Sequence, residues 1–280
     1  MATKSTLLPW HNANAEQQHI NIVFLHANGY PPASYRSFLT SLGEHFRVFS
    51  LEHRPLRVPA APTFLPWKVY AQDAEAAIAD IEGPIWLVGH SMGAVMSMLL
   101  ALAHPRRFRG LVAIDPVILA PGVWAAAKVA QWFRPNSMQI VRTALGRPGR
   151  FESSEAAFGF YRGKRVFNNI DDVVLWDYVH AAHAPGEQGV QLRWSGEWEA
   201  CVYRSAPLVW HRLKHISVPT LGIVGKHSNV LTPSVAKHWK RSSGKVTLET
   251  LDAGHLVPLE QPAICARLAS LFIQAEGKHS

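Results

Sequence analysis

Pro84-Ile85-Trp86-Leu87-Val88-Gly89-His90-Ser91-Met92-Gly93, running into an apolar stretch over 94–103, is the segment whose reading decides the fold. Residues 84–88 have the short, continuous apolar character of a buried strand, and 94–103 the length of a helix. A serine flanked by glycines at such a strand-to-helix corner reads as a nucleophile elbow. Gly89 and Gly93 allow a turn too tight for larger side chains, which lifts the Ser91 hydroxyl above the sheet with the start of the helix behind it.

Two further segments lie where an elbow needs them. Upstream, the β-rich run Ile20-Asn21-Ile22-Val23-Phe24-Leu25 ends in the turn-forming His26-Ala27-Asn28-Gly29-Tyr30-Pro31-Pro32. Acyl transfer builds negative charge on an oxygen, which two fixed backbone N–H groups can hold; Asn28 and Met92 are the candidates for this oxyanion hole. Downstream, Lys245-Val246-Thr247-Leu248-Glu249-Thr250-Leu251 reads as a strand running into Asp252-Ala253-Gly254-His255, which makes His255 the candidate general base.

On these motifs, together with Pro258-Leu259-Glu260-Gln261-Pro262, the chain resembles the α/β-hydrolase superfamily over about 20–115 and 216–275. The resemblance implies an α/β fold: a mostly parallel, doubly wound sheet of about seven or eight strands with a mostly helical inserted cap. The expected division is a first core part over 1–116, a cap or lid over 117–215 and a second core part over 216–280. The implied chemistry is attack by Ser91 on a carbonyl, with His255 removing and returning the proton.

The acid departs from the common family pattern. Where relatives carry a carboxylate after the strand that follows the cap, this chain reads Gly225-Lys226-His227-Ser228-Asn229. A hydroxyl at Ser228 could accept a hydrogen bond from imidazole but could not stabilise imidazolium. Asp115, at the carboxyl end of the strand-like Gly110-Leu111-Val112-Ala113-Ile114, is the leading replacement, since reactive groups of open α/β sheets gather at that edge. Some dehalogenases and lipases of the superfamily place their acid after this same strand. Capping the turn at Pro116 is the structural alternative for Asp115, and Asp252, on the same loop as His255, is the weaker rival for the acid.

Composition sets the outer bounds. With 280 residues, 48% hydrophobic and 17% charged, the chain suits one globular core with an insertion. Two cysteines far apart suggest no disulfide framework, and the fifteen histidines show no zinc spacing, so neither a metal nor another cofactor is expected. No signal-like segment or membrane span is evident, and cytoplasmic residence is the expectation. The net charge of +8 comes with no nucleic-acid module, which speaks against nucleic-acid binding.

Six of the ten tryptophans fall within 117–215. Such large rings either line an apolar pocket or hold the cap to the core; Trp124, Trp132 and Trp176 are the candidates to face substrate, with Tyr30 and His90 near the elbow. Lys128, Arg134, Arg142, Arg147, Arg150, Arg162, Lys164 and Arg165 stand against only Glu152 and Glu155 in the same stretch. A solvated basic face explains this, and attraction to anionic substrates or peripheral contact with an anionic lipid surface is the functional alternative. The reading as a whole is a serine hydrolase of small-molecule carboxylic esters with an apolar acyl group. Cleavage of carbon–carbon, lactone or thioester bonds, acyl transfer, and a non-catalytic ligand-binding protein on the same scaffold are the alternatives. The sequence does not specify an oligomeric state.

Overall fold

The computed structural model describes residues 6–11 and 19–277. Strands β1 (Leu7–Pro9), β2 (Asn21–Leu25), β3 (Arg47–Leu51), β4 (Ile85–His90) and β5 (Phe108–Ile114) alternate with helices α1 (Arg36–Gly43), α2 (Trp67–Ala77) and α3 (Met92–Ala103). The segment that follows holds α4 (Pro121–Phe133), α5 (Gln139–Leu145), β6 (Arg150–Phe151), α6 (Ser154–Arg162), α7 (Asp172–Ala182), β7 (His183–Gly186), β8 (Gly189–Leu192) and α8 (Gly196–Arg204). The chain then returns through β9 (Thr220–Gly225), α9 (Pro233–Ser242), β10 (Val246–Leu251), the single turn α10 (Val257–Glu260) and α11 (Pro262–Gly277).

The main sheet has seven strands in the order β1-β3-β2-β4-β5-β9-β10, parallel except for β1. Every residue of β2, β4 and β9 is buried, as expected of parallel strands covered on both faces. Successive side chains alternate between those faces. Val23, Leu25 and Leu87 meet α2 and α3 in one core layer, whereas Ile22, Phe24 and Val88 meet α1 and α11 in the other. At the elbow, a Cβ on Gly93 would come within 1.9 Å of the Leu25 carbonyl oxygen, so α3 rests against β2 at a separation only glycine permits.

The 117–215 segment is not purely helical: β6, β8 and β7 form a small antiparallel sheet, with Gly186 paired to Gly189 across a two-residue connection. Nor is it uniformly separate from the core. Val174, Leu175, Tyr178 and Val179 of α7 belong to one core layer and Trp198, Cys201 and Val202 of α8 to the other. Helix α4, by contrast, has no buried residue. Among the described residues no helix is long and apolar enough to cross a membrane.

Candidate active site

Ser91 sits between β4 and α3 with φ 56° and ψ −114°, a strained conformation for a residue with a side chain. The Ile114 carbonyl accepts from its backbone N–H, which fixes the corner to β5. The Ser91 hydroxyl donates to His255 Nε2 at 2.9 Å, and His255 Nδ1–H donates to Asp115 Oδ2 at 2.6 Å. The sheet edge thus brings together three residues from far apart in the chain. Asp115 is fully buried, at φ 40°, just beyond the end of β5.

A buried carboxylate needs hydrogen bonds to every oxygen. Asp115 Oδ1 accepts from the Gly225 N–H at 3.1 Å, and Oδ2 accepts from Ser228 Oγ at 2.5 Å as well as from His255. Ser228 therefore occupies the position where an acid is common by supporting one supplied from β5. Its hydroxyl in turn accepts from the Val230 N–H at 3.1 Å. Asp252 is turned to solvent, 2.8 Å from His227 Nε2 and 3.4 Å from Lys226 Nζ; the hydrogen bond from His227 holds its carboxyl below the ordinary range. The structure does not bring it to the His255 ring.

His90 does not line the cavity beside Ser91; it lies beneath, fully buried. Its Nε2–H donates to the His255 carbonyl at 2.8 Å, and its Nδ1 accepts from the Tyr35 hydroxyl at 2.8 Å. The Tyr35 oxygen also accepts from the Ala27 N–H at 3.2 Å. One line of hydrogen bonds therefore joins the 26–30 turn, the elbow and the backbone of His255. Burial, with His255 next in effect, pushes the His90 pKa well below its usual value, which keeps the ring in the neutral form this line requires. Tyr35 carried no sequence signal of its own beyond its place after Pro31-Pro32.

Asn28 and Met92 both face the cavity above Ser91. Met92 opens α3, so its N–H belongs to the first turn, whose donors have no partner within the helix. The Asn28 side chain donates to the Glu199 carbonyl at 3.1 Å, tying the turn to α8. Behind it, Arg147 is spent on Glu199 at 2.8 Å and on the hydroxyls of Tyr161 and Tyr178.

The cavity has a volume of about 420 Å³. Trp67, Val202, Tyr203 and Ala206 form part of its wall; Val117, Leu119, Met138, Ile140 and Val166 line it as well, and no lining residue is Asp, Glu, Lys or Arg. Tyr30 lines it and packs its ring 5.1 Å from that of Tyr178. The three tryptophans expected to face substrate are not among the lining residues. Trp124 donates to the Ala206 carbonyl at 3.0 Å, Trp176 stacks on Phe158 at 4.4 Å, and Trp132 points outward, 85% exposed. Their rings hold neighbouring helices or face water, and the tryptophan that does reach the cavity is Trp67, at the start of α2, outside the tryptophan-rich segment. Pocket-forming aromatics are set by helix placement, which composition cannot supply.

The fold and this edge define a class of protein: residues 22–268 match the alpha/beta hydrolase family, and the chain belongs to it. Lipase LipV of Mycobacterium tuberculosis is 36% identical over 266 residues, covering 86% of this chain and 94% of that one. Among solved structures, an E-2-(acetamidomethylene)succinate hydrolase superposes with a TM-score of 0.76 at 21% identity, covering 96% of this chain and 94% of the other. The thioesterase domain from the curacin biosynthetic pathway superposes with a TM-score of 0.73 at 17% identity, with coverages of 96% and 94%. At those identities the likeness is one of fold.

Proposed function

We propose that this hydrolase cleaves carboxylic esters with an apolar acyl group through an acyl-enzyme on Ser91. The observation that carries the reading is His255 bridging Ser91 and Asp115 at 2.9 and 2.6 Å on the wall of an apolar cavity. As Ser91 Oγ attacks the ester carbonyl, His255 Nε2 takes its proton, and the imidazolium is stabilised through Nδ1–H by buried Asp115. The backbone N–H groups of Asn28 and Met92 hold the oxyanion. Collapse of the tetrahedral intermediate expels the alkoxide, which takes the proton from His255 Nε2. A water then repeats the sequence at the acyl carbonyl, giving its proton to His255, and the Ser91 oxygen leaves with that proton.

Within this reading the 117–215 segment serves as the cap, its Met138, Ile140, Val166, Val202 and Tyr203 enclosing the acyl chain. The absence of a charged residue from the lining favours uncharged, apolar acyl groups over dicarboxylates, because a carboxylate entering this cavity would lose its water without gaining a cation. The nearby Arg147 is already neutralised by Glu199. The 36% identity with a lipase supports the same direction. The test is hydrolysis of a p-nitrophenyl ester series from acetyl to palmitoyl by the wild type and Ser91→Ala. Turnover that peaks beyond acetyl and disappears in the variant is expected; folded wild type without turnover at any length overturns the ester reading.

A further inference from the structure

Helix α4 leaves its broader apolar face in water, and its half-buried side holds Lys128 and Gln131 beside Trp124 and Ala127. Its polar side chains point inward: Lys128 Nζ donates to the Arg204 carbonyl at 2.6 Å, and Gln131 Nε2 donates to Met138 Sδ at 3.4 Å. The opposite face carries Ala125, Ala126, Val129, Trp132 and Phe133, all exposed, with Trp132 at 85% and Phe133 at 78%. A surface helix ordinarily turns its apolar stripe to the core and its charges to solvent. Within the described residues nothing buries this stripe, and a contiguous exposed apolar face of this kind marks an interaction site.

Position and charge identify the occupant. In sequence α4 is bracketed by residues lining the cavity, Val117 and Leu119 before it and Met138 and Ile140 after it, and Gln131 touches Met138 directly. Ile140 and Val166 are each about half exposed while lining the cavity, so its apolar wall continues onto the outer surface. The helix has no acidic residue and is followed directly by exposed Arg134, while exposed Lys164 and Arg165 adjoin Val166 at the cavity, all within a stretch of eight basic and two acidic residues. A tryptophan and a phenylalanine followed by an exposed arginine suit the boundary between acyl chains and anionic headgroups.

We propose that α4 docks in the plane of an anionic lipid–water interface, placing the cavity mouth where an apolar ester can enter without crossing water. The substrate would then be a lipid-resident ester, an inference that rests on the ester-hydrolase reading above; the docking itself does not require turnover. At 13 residues α4 is an in-plane helix that lays its apolar face among the headgroups.

The test is co-sedimentation of the Ser91→Ala chain, which leaves lipid intact, with vesicles of phosphatidylcholine alone or mixed with phosphatidylglycerol. Binding to the anionic vesicles that weakens with salt is expected. Adding Trp132→Ser/Phe133→Ser should reduce it about tenfold or more, and Arg134→Glu should reduce it selectively on the anionic vesicles. With Ser91 restored, both variants should retain wild-type turnover of a water-soluble ester while losing turnover of an ester carried in anionic vesicles. Absent vesicle binding, or binding unchanged by the double substitution, overturns the docking. So does self-association of the wild type that the double substitution abolishes, because the face would then belong to a second copy. Equal binding to both vesicle types overturns the anionic recognition. Failure of the ester reading is separate: wild type would bind vesicles yet turn over neither ester.

Discussion

Helices α3 and α4 are nearly the same length and both are rich in apolar residues, yet nine of the twelve residues of Met92–Ala103 are buried and none of the thirteen in Pro121–Phe133 is. The first is packed against β2, β4 and β5 and against the second helix, with its leading residues forming the floor of the site. The second lies apart from both core layers. Apolar composition therefore has two meanings in this chain: in α3 it is spent on fixing Ser91 in a strained corner, and in α4 it remains available to something outside the protein.

The largest effect should come from the chemistry anchored at α3. Asp115→Asn should lower kcat for a soluble ester by up to about 10⁴, the scale seen when a serine-protease triad acid is neutralised. Circular dichroism should show the variant folded. A kcat within a few-fold of wild type would detach the acid role from Asp115.

Core truncation separates the helices next. Met96→Ala, at a fully buried position of α3, should cost about 2–5 kcal/mol in denaturant unfolding, whereas Val129→Ala, exposed on α4, should stay within about 0.5 kcal/mol. Equal costs would mean that α4 is covered in the free protein. The glycines supply an independent contrast of smaller size on the α4 side. Gly122→Ala meets nothing within 4 Å and should stabilise by up to about 1 kcal/mol, seen as a raised Tm, while Gly93→Ala must displace the Leu25 carbonyl and should lower it.

Acid should act on the α3 side of the molecule through His26 and the His53 bonded to it. His26 and His53 are buried with ring centroids 4.0 Å apart; burial lowers both pKa values, that of His53 to about 4. Between the usual value near 6.5 and about 4, the unfolded chain binds protons that the folded His53 does not. Stability is then intact above about pH 6.5 and falls as pH drops toward 4, by at most about 3 kcal/mol from this residue. His53→Gln should flatten the fall in Tm between pH 7 and pH 4.5; an unchanged slope would assign it to other groups.

Much of this was legible in the sequence because it rests on local patterns. The runs at 20–25, 84–88 and 110–114 fixed three central strands, and the elbow and the Gly254-His255 turn marked two of the three bridged residues. Asp115 followed from its place at a strand end, and Ser228 was visible as a departure whose physical use, donating to Asp115, needed coordinates. The 117–215 segment was far less legible. Its helices bury different faces against different core layers, the β6-β8-β7 sheet depends on pairing across the segment, and the identity of the cavity-lining tryptophan depends on how α2 approaches α8. None of these is a property of a short window of sequence.

The central claim is that α3, β5 and the His255 loop together activate one serine. Treating the wild type, Ser91→Ala and Asp115→Asn with an alkyl fluorophosphonate and mapping the adduct by peptide mass spectrometry tests it most directly. The account predicts a single adduct on the peptide containing Ser91, none in Ser91→Ala, and strongly slowed labelling in Asp115→Asn. An unmodified Ser91 in folded wild type, or labelling of Asp115→Asn at the wild-type rate, would contradict it.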